Sequence, residues 1–470
     1  MNVTGNREED RKIHKESCLQ RVPTESGGYA EASDCEKMTE NNATNTNLRK
    51  GELMEQILRR ENLNAAYKKV KGNKGAGGVD EMQVDELLPY LKQHGEEIAQ
   101  KLRVGKYKPN PVRRVEIPKE EKGKVRQLGI PTVVDRMIQQ AITQVLSPIY
   151  EPQFHEWSFG FRPKRGAHDA LKQSRQNVND GYAYVVDMDL EKFFDTVNQS
   201  KLTEVLSRTI KDGSVISLIS KYQRAGVIEN GMFARTDVGV AQGGNLSPLL
   251  SNIMLNELDW ELERRGHRFV RYADDLMIFC KSKRAAQRTL ANIVPFIEGK
   301  LFLKVNREKT TVAHIRYVKF LGYAFYRYKG ECRLRVHQKS IEKMKDKIRM
   351  ITSRSNGWSN EYRATRLTHF IRGWVNYFKL ADMKKLLLET DEWLRRKIRA
   401  IYWKQWKKVK TRYRMIRKFN LPEWKVHEFA NCRKGIWRAA LMLNAVLTNE
   451  VIVSLGYMTM TDYYKKVCVN

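Results

Sequence analysis

Apolar residues recur with a helical period over 48–70 (LRKGELMEQILRRENLNAAYKKV), over 133–150 and through much of 338–419, and the spacing predicts helices there. Between them, short apolar runs rich in β-branched and aromatic residues occupy 182–190, 268–280 and 317–327 and predict strands. The order of helices, then mixed strands and helices, then helices again predicts an α+β core between two largely helical modules. It does not fit an alternating βαβ series. Residues 1–46, rich in Asn, Thr, Ser and Glu, carry no apolar period and read as a solvated tail.

Composition adds a partner class to this outline. The chain has 470 residues, 41% hydrophobic and 30% charged, enough for a sizeable core. Lys plus Arg total 86 against 54 Asp plus Glu, a net +32. Such a surface accumulates polyanions, with nucleic acid the leading partner and an anionic membrane surface a distant second. The tail holds 6 basic and 9 acidic residues, so +35 falls on the remainder. From 331 onward there are 32 Lys/Arg and 12 Asp/Glu, a net +20 that marks a separate basic module. The expected divisions are a tail at 1–46, a core at 47–330, a helical module at 331–420 and a basic region at 421–470.

Several classes fall away. No apolar run approaches the roughly 18 residues that span a bilayer. The start MNVTGNREED lacks the order of a secretory signal, and the acidic tail is unlike a transit peptide. Cys18, Cys35, Cys280, Cys332, Cys432 and Cys468 never come within four residues of one another, which excludes a sequence-local zinc knuckle. A reducing cytoplasm is the expected compartment.

The chemistry concentrates in acids on apolar strands. In YAYVVDMDLEKFFDTV (182–197), period-2 geometry puts Asp187 and Asp189 on one face and Val186 and Met188 on the other. In FVRYADDLMIFC (269–280), apolar runs flank Ala273-Asp274-Asp275 and place the carboxylates at a hairpin bend. Buried-sheet acids are costly unless something pairs with them. Two Mg²⁺ ions about 3.5–4 Å apart, shared by a few carboxylates in phosphoryl transfer, would do so. Either pair alone reads more readily as turn decoration; both together in a basic chain do not.

The segments FVRYADDLMIF and VVDMDLEKFFDTVN resemble the palm hairpin and companion palm strand of reverse transcriptases. The resemblance implies that Asp189, Asp274 and Asp275 are catalytic and bind two Mg²⁺ ions (Mn²⁺ as substitute), with the Leu190 carbonyl as a further ligand. It makes Phe194 the aromatic gate against a nucleotide 2′-hydroxyl and gives Asp187 a supporting role.

Further motifs follow in order. GVAQGGNLSPLLSNIMLNELD (239–259) has a Gly pair and then a helix start, with Ser247 suited to the N-cap and Pro248 to the first position. It resembles the family's PQGG motif, which sets Gln242 near the nucleotide, although Ala241 stands where proline is usual and removes a fixed φ. RRVEIPKEEKGKVRQLGIP (113–131) resembles the fingers motif in which Lys119 and Arg126 clamp phosphate oxygens. In FHEWSFGFRPKRGAHDA (154–170) the aromatics read as core, and Arg162 and Arg165 as facing the RNA template. LKVNREKT and RYVKFLGYAFYRY (303–310, 316–328) resemble the last palm motifs, with Lys309 a candidate general acid for pyrophosphate. KGNKGAGGVD (71–80) lacks a Gly-Lys-Ser/Thr ending, so it is no nucleotide-hydrolysis loop, and it resembles the N-terminal motif of intron-encoded reverse transcriptases.

The basic end carries LTHFIRGWVNYFKLADM (367–383) and WLRRKIRAIYWKQWKKVKTRYRMIRKF (393–419). Cations that track phosphate beside aromatics that stack on bases suit RNA, with Arg372, Lys379, Trp403, Trp406, Lys407 and Lys408 as contacts. These segments resemble the maturase (thumb) domain of group II intron-encoded proteins, in the bacterial subgroup without an endonuclease domain. The resemblance implies a right-hand polymerase with helical fingers, a palm with an antiparallel sheet and a helical thumb. It also implies group II intron RNA, an RNA template with DNA primer, deoxynucleoside triphosphates and target DNA as partners. A splicing cofactor with a vestigial polymerase site, and a free-standing retron- or defence-type reverse transcriptase, are the competing readings.

Overall fold

A computed structural model describes residues 51–118 and 125–468, so the tail, Lys119, Cys18 and Cys35 lie outside the described residues. In chain order the strands run β1 (Val112–Pro118), β2 (Val125–Ile130), β3 (Tyr184–Met188), β4 (Val227–Glu229), β5 (Met232–Ala234) and β6 (Arg268–Tyr272). They continue with β7 (Asp275–Cys280), β8 (Thr311–His314), β9 (Lys319–Phe320), β10 (Tyr323–Tyr328) and β11 (Glu331–Val336). The residues fall into two compact units that divide the chain at Arg333 and Leu334.

In the first unit, the central sheet has the order β6-β7-β3-β8 and is antiparallel throughout. β7 lies inside the sheet, and its residues Leu276 to Cys280 are all buried, so the strand reads as a continuous apolar run. Helices Ala167–Asn179 and Ser247–Arg264 pack on β6, and helix Lys283–Gly299 packs on β3, β7 and β8. Helix Ser247–Arg264 is buried around much of its circumference, with Leu250, Met254 and Leu258 in the core as their spacing predicts. Its first residue is Ser247, so the expected N-cap lies one residue too late: the Ser247 hydroxyl donates instead to the Ala241 carbonyl at 2.6 Å. A second sheet, β2-β1-β4-β5, combines the antiparallel β1–β2 pair with a parallel β1–β4 contact.

The second unit is helical, with helices Gln338–Ile351, Asn360–Phe378, Lys384–Gln405 and Val409–Arg417 followed by four more to Cys468. The expected continuous helix over 393–419 is broken at 406–408. The Trp406 side chain is buried, and its carbonyl accepts from Arg412 Nε at 2.9 Å, which turns the chain back on itself. The last helices pack on the earlier ones across residue 420. Asp391, 1% exposed, accepts from the backbone N–H groups of Met460 and Thr461, both at 2.8 Å, and from the Thr461 hydroxyl at 2.6 Å. Buried Arg399 donates to the Leu447 carbonyl at 2.8 Å. No helix of the described residues is long and apolar enough to cross a membrane.

Asp391→Ala therefore leaves two N–H groups without their acceptor and is expected to destabilise this unit by about 2–4 kcal/mol. Denaturant unfolding checks the loss, and hydrogen exchange should show residues 460–468 opening first.

Candidate active site

The acids meet because of strand register. β3 pairs with β7 through Asp187↔Met277 and Met188↔Leu276, and the ladder ends there, one residue before Asp189 on β3 and at Asp275 on β7, where the charges of Asp187 and Asp189 reach Asp275. The β6–β7 hairpin closes through Tyr272↔Asp275, leaving Ala273 and Asp274 as its turn. Ala273 takes a left-handed φ of 57°, a conformation that disfavours a residue with a Cβ. Asp189 is held from the other side: its N–H donates to Thr310 Oγ1 at 3.2 Å and its carbonyl accepts from Asn306 N at 2.9 Å. The Leu190–Val305 bridge uses the Asp189 carbonyl and the Glu191 N–H, so the Leu190 carbonyl takes no part in it.

This crowding shifts the carboxyls. Asp275 is pushed up to about 7, chiefly by burial and then by the charges of Asp274, Asp187 and Asp189. Burial, followed by the charge of Asp189, raises Asp187 to about 6. Asp274 also rises, through burial first, with Arg126 pulling the other way. Asp274 and Asp275 still reach solvent, so water screens part of the repulsion. Among the described residues, no group of three His, Cys, Asp or Glu side chains forms a ready cation cage. The donors nevertheless fit Mg²⁺: hard carboxylate oxygens, mutually repelling, at a site open enough for substrate phosphates to complete the coordination.

Neighbouring segments bring the other candidates in. Lys309 Nζ lies 3.5 Å from Asp189 Oδ2, delivered by the turn after Asn306. Arg126 projects from β2, and its charge reaches Asp274. The 239–244 loop joins that strand to the Phe194 segment. Gly129 N donates to the Gln242 carbonyl at 2.7 Å, and Val240 N donates to the Phe194 carbonyl at 2.6 Å. A Cβ on Gly243 would stand 2.7 Å from the Gly129 carbonyl oxygen, so glycine is needed for this approach. The loop has no proline at Ala241, whose carbonyl is instead held by Ser247 Oγ and Gly244 N. Phe194 and Gln242 are both half-buried.

Residues 117–325 match the family "Reverse transcriptase (RNA-dependent DNA polymerase)", and residues 341–419 match "Group II intron, maturase-specific domain". Protein YkfC of Escherichia coli (strain K12) is 33% identical over 337 residues, 62% of this chain and 88% of its own length. The chain belongs to the group II intron-encoded reverse transcriptases. Group II intron-encoded protein LtrA of Lactococcus lactis subsp. cremoris is 29% identical, covering 74% of this chain and 73% of its own. The putative COX1/OXI3 intron 2 protein of Saccharomyces cerevisiae is 27% identical over 74% of this chain and 51% of its own. The function follows the family: a reverse transcriptase that also acts as an intron maturase.

Three of the expected RNA contacts face the wrong way. Arg162 is buried, with Nε and Nη2 on the Glu151 carboxylate and Nη1 on the carbonyls of His155 and Ser158 at 2.6 and 2.8 Å, so it braces its loop and does not reach a template. Trp403 and Trp406 are 2% and 5% exposed and belong to the maturase-unit core; the Arg412 guanidinium covers the Trp403 ring at 4.0 Å. Arg165 is partly covered, with its guanidinium on the Glu156 carbonyl. Arg372, Lys379, Lys407 and Lys408 are exposed.

Sequence reasoning missed the support of the turn. Gly160 closes over it: a Cβ there would lie 2.2 Å from Ala273 N. Beneath it, Arg271 (1% exposed) meets Asp259 (0%) through Nε and Nη2 at 2.5 to 3.0 Å. The signal was an arginine inside an apolar run, with an Asn and an Asp two helical turns apart on the preceding helix.

Gly160→Ala should displace the turn and lower primer extension by at least 10-fold, with little change in intron RNA binding, as read by parallel extension and filter-binding assays. Asp275 predicts a pH effect. Its folded pKa lies above the ordinary 3.8, so ionisation destabilises the metal-free fold as pH rises from about 4 to 7, and the full penalty is present above 7. Asp275→Asn should therefore melt about 2–4 °C above wild type at pH 8 without divalent metal, and equal to it near pH 4. Thermal melts at both pH values check this, and added Mg²⁺ should narrow the difference.

Proposed function

We propose that the site extends a DNA primer on an RNA template, with Asp189, Asp274, Asp275 and the Leu190 carbonyl holding two Mg²⁺ ions that Mn²⁺ can replace. The observation that supports this most strongly is the raised Asp275 carboxyl, crowded by Asp274, Asp187 and Asp189. Bound Mg²⁺ would activate the primer 3′-hydroxyl and neutralise charge on the departing pyrophosphate. Arg126, from β2, binds the triphosphate oxygens, with Lys119 assigned to the same task from outside the described residues. Phe194 stands at the sugar and excludes a 2′-hydroxyl, while Gln242 contacts the nucleotide from the glycine loop. Lys309 donates a proton to pyrophosphate, a reading supported by the 3.5 Å approach of its Nζ to Asp189 Oδ2. Asp187, within β3, supports the sheet end, its carboxyl raised to about 6 by burial and then by the charge of Asp189.

The second unit supplies intron RNA binding through Arg372, Lys379, Lys407 and Lys408, with Arg165 on the template side. Intron RNA, template–primer, deoxynucleoside triphosphates and target DNA are the partners in this reading, and the bacterial cytoplasm is the compartment. Asp274→Ala should reduce extension of a DNA primer on RNA by more than 10³-fold while intron splicing stimulation persists. Equal extension by variant and wild type removes the assignment, and splicing without any wild-type extension shows a vestigial site.

A further inference from the structure

The hairpin turn that carries Asp274 and Asp275 is an unusual place to leave unsupported. It is two residues long, it holds Ala273 at a left-handed φ of 57°, and its carboxylates repel one another. Arg271 sits three residues before Asp274, and each of its guanidinium nitrogens is committed. Nε and Nη2 grip the Asp259 carboxylate, while Nη1 donates to Asn252 Oδ1 at 2.9 Å and to the Ala273 carbonyl at 3.0 Å. Asn252 then donates from Nδ2 to the Gly160 carbonyl at 2.8 Å. The segment containing Gly160 is itself zipped to β6, with Phe159 N on the Arg271 carbonyl at 2.9 Å and Arg271 N on the Trp157 carbonyl at 3.0 Å.

We infer that Arg271 is a positioning residue for polymerisation: it holds the Ala273 carbonyl, and with it the metal-binding turn, at a fixed height above helix Ser247–Arg264. Asp259 and Asn252 aim its guanidinium, and Asn252 closes the clamp by fixing Gly160 over the turn. This rests on the polymerase reading of the site. A buried ion pair is weak support for stability by itself, since apolar residues of similar volume often serve as well. A planar fork with five donors, however, joins a carboxylate, an amide and a peptide carbonyl in one plane, which a lysine ammonium cannot do. A displacement of about 1 Å at a reacting centre costs about 100-fold in rate.

The test is single-turnover addition of one deoxynucleotide to a DNA primer on an RNA template, by wild type, Arg271→Lys and Asn252→Leu. The second variant leaves the Arg271–Asp259 pair intact and removes the bonds to Asn252. The rate constant refers only to primer bound by folded protein, so unfolding lowers amplitude and leaves the rate unchanged. The expected result is a rate constant about 10–100-fold lower in Arg271→Lys and about 3–10-fold lower in Asn252→Leu. The Mg²⁺ concentration for half-maximal rate should rise severalfold, with half-saturating deoxynucleotide within twofold of wild type. Wild-type rate constants and Mg²⁺ requirement in Asn252→Leu overturn the inference, as does a loss confined to deoxynucleotide affinity. If Arg271→Lys binds no primer, Asn252→Leu decides. A wild type that extends nothing in Mg²⁺ or Mn²⁺ defeats the polymerase reading instead.

Discussion

Negative charge gathered at one end of an apolar sheet is the constraint around which the first unit is built. Burial, and after it the neighbouring carboxylates, raise Asp187, Asp274 and Asp275, and nothing in the β3–β7 ladder itself compensates them. A turn holding such charges tends to move away, and the fold resists this from several directions. Thr310 and Asn306 hold the Asp189 backbone, Gly160 closes over Ala273, and Arg271 holds the Ala273 carbonyl from below. Holding crowded carboxylates in place costs stability, a common trade at functional positions.

The same logic explains where the glycines lie. Gly243 and Gly129 let the Gln242 loop press against β2, and Gly239 passes close to the Phe194 and Asp195 carbonyls. These contacts link the strand bearing Arg126 to the segment bearing Phe194, so that the spacing of the two is set by backbone approach. In the maturase unit, buried polar groups play the comparable role. Asp391 accepts from the start of the last helix, and Arg399 donates to the Leu447 carbonyl. The exposed cations are thus carried on a scaffold in which Trp374, Trp403 and Trp406 are turned inward.

The acids, the glycine loop and the basic end were legible because each breaks a local expectation. Asp187 and Asp189 interrupt a Val- and Met-rich strand, Asp274 and Asp275 interrupt two apolar runs, and the charge excess is uneven along the chain. Trp403, Trp406 and Arg162 misled for a related reason. Aromatics interleaved with cations look the same whether the rings face RNA or pack beneath their own arginines, and periodicity names a face without saying what covers it. Arg271 was visible in the sequence as a cation between Val270 and Tyr272, but its partners Asn252 and Asp259 lie on another element.

The sequence alone determined the α+β order of elements, the family, the strands that bear the acids and the polyanionic class of partner, because these depend on local period, motif and net charge. Tertiary structure decided the rest. It brought the ends of β3 and β7 together through strand register, ended the helix at 405, packed the last helices on the earlier ones and turned Arg162 inward. Each depends on contacts between residues far apart in the chain, and whether a side chain is satisfied inside or left facing solvent is fixed only when those contacts form.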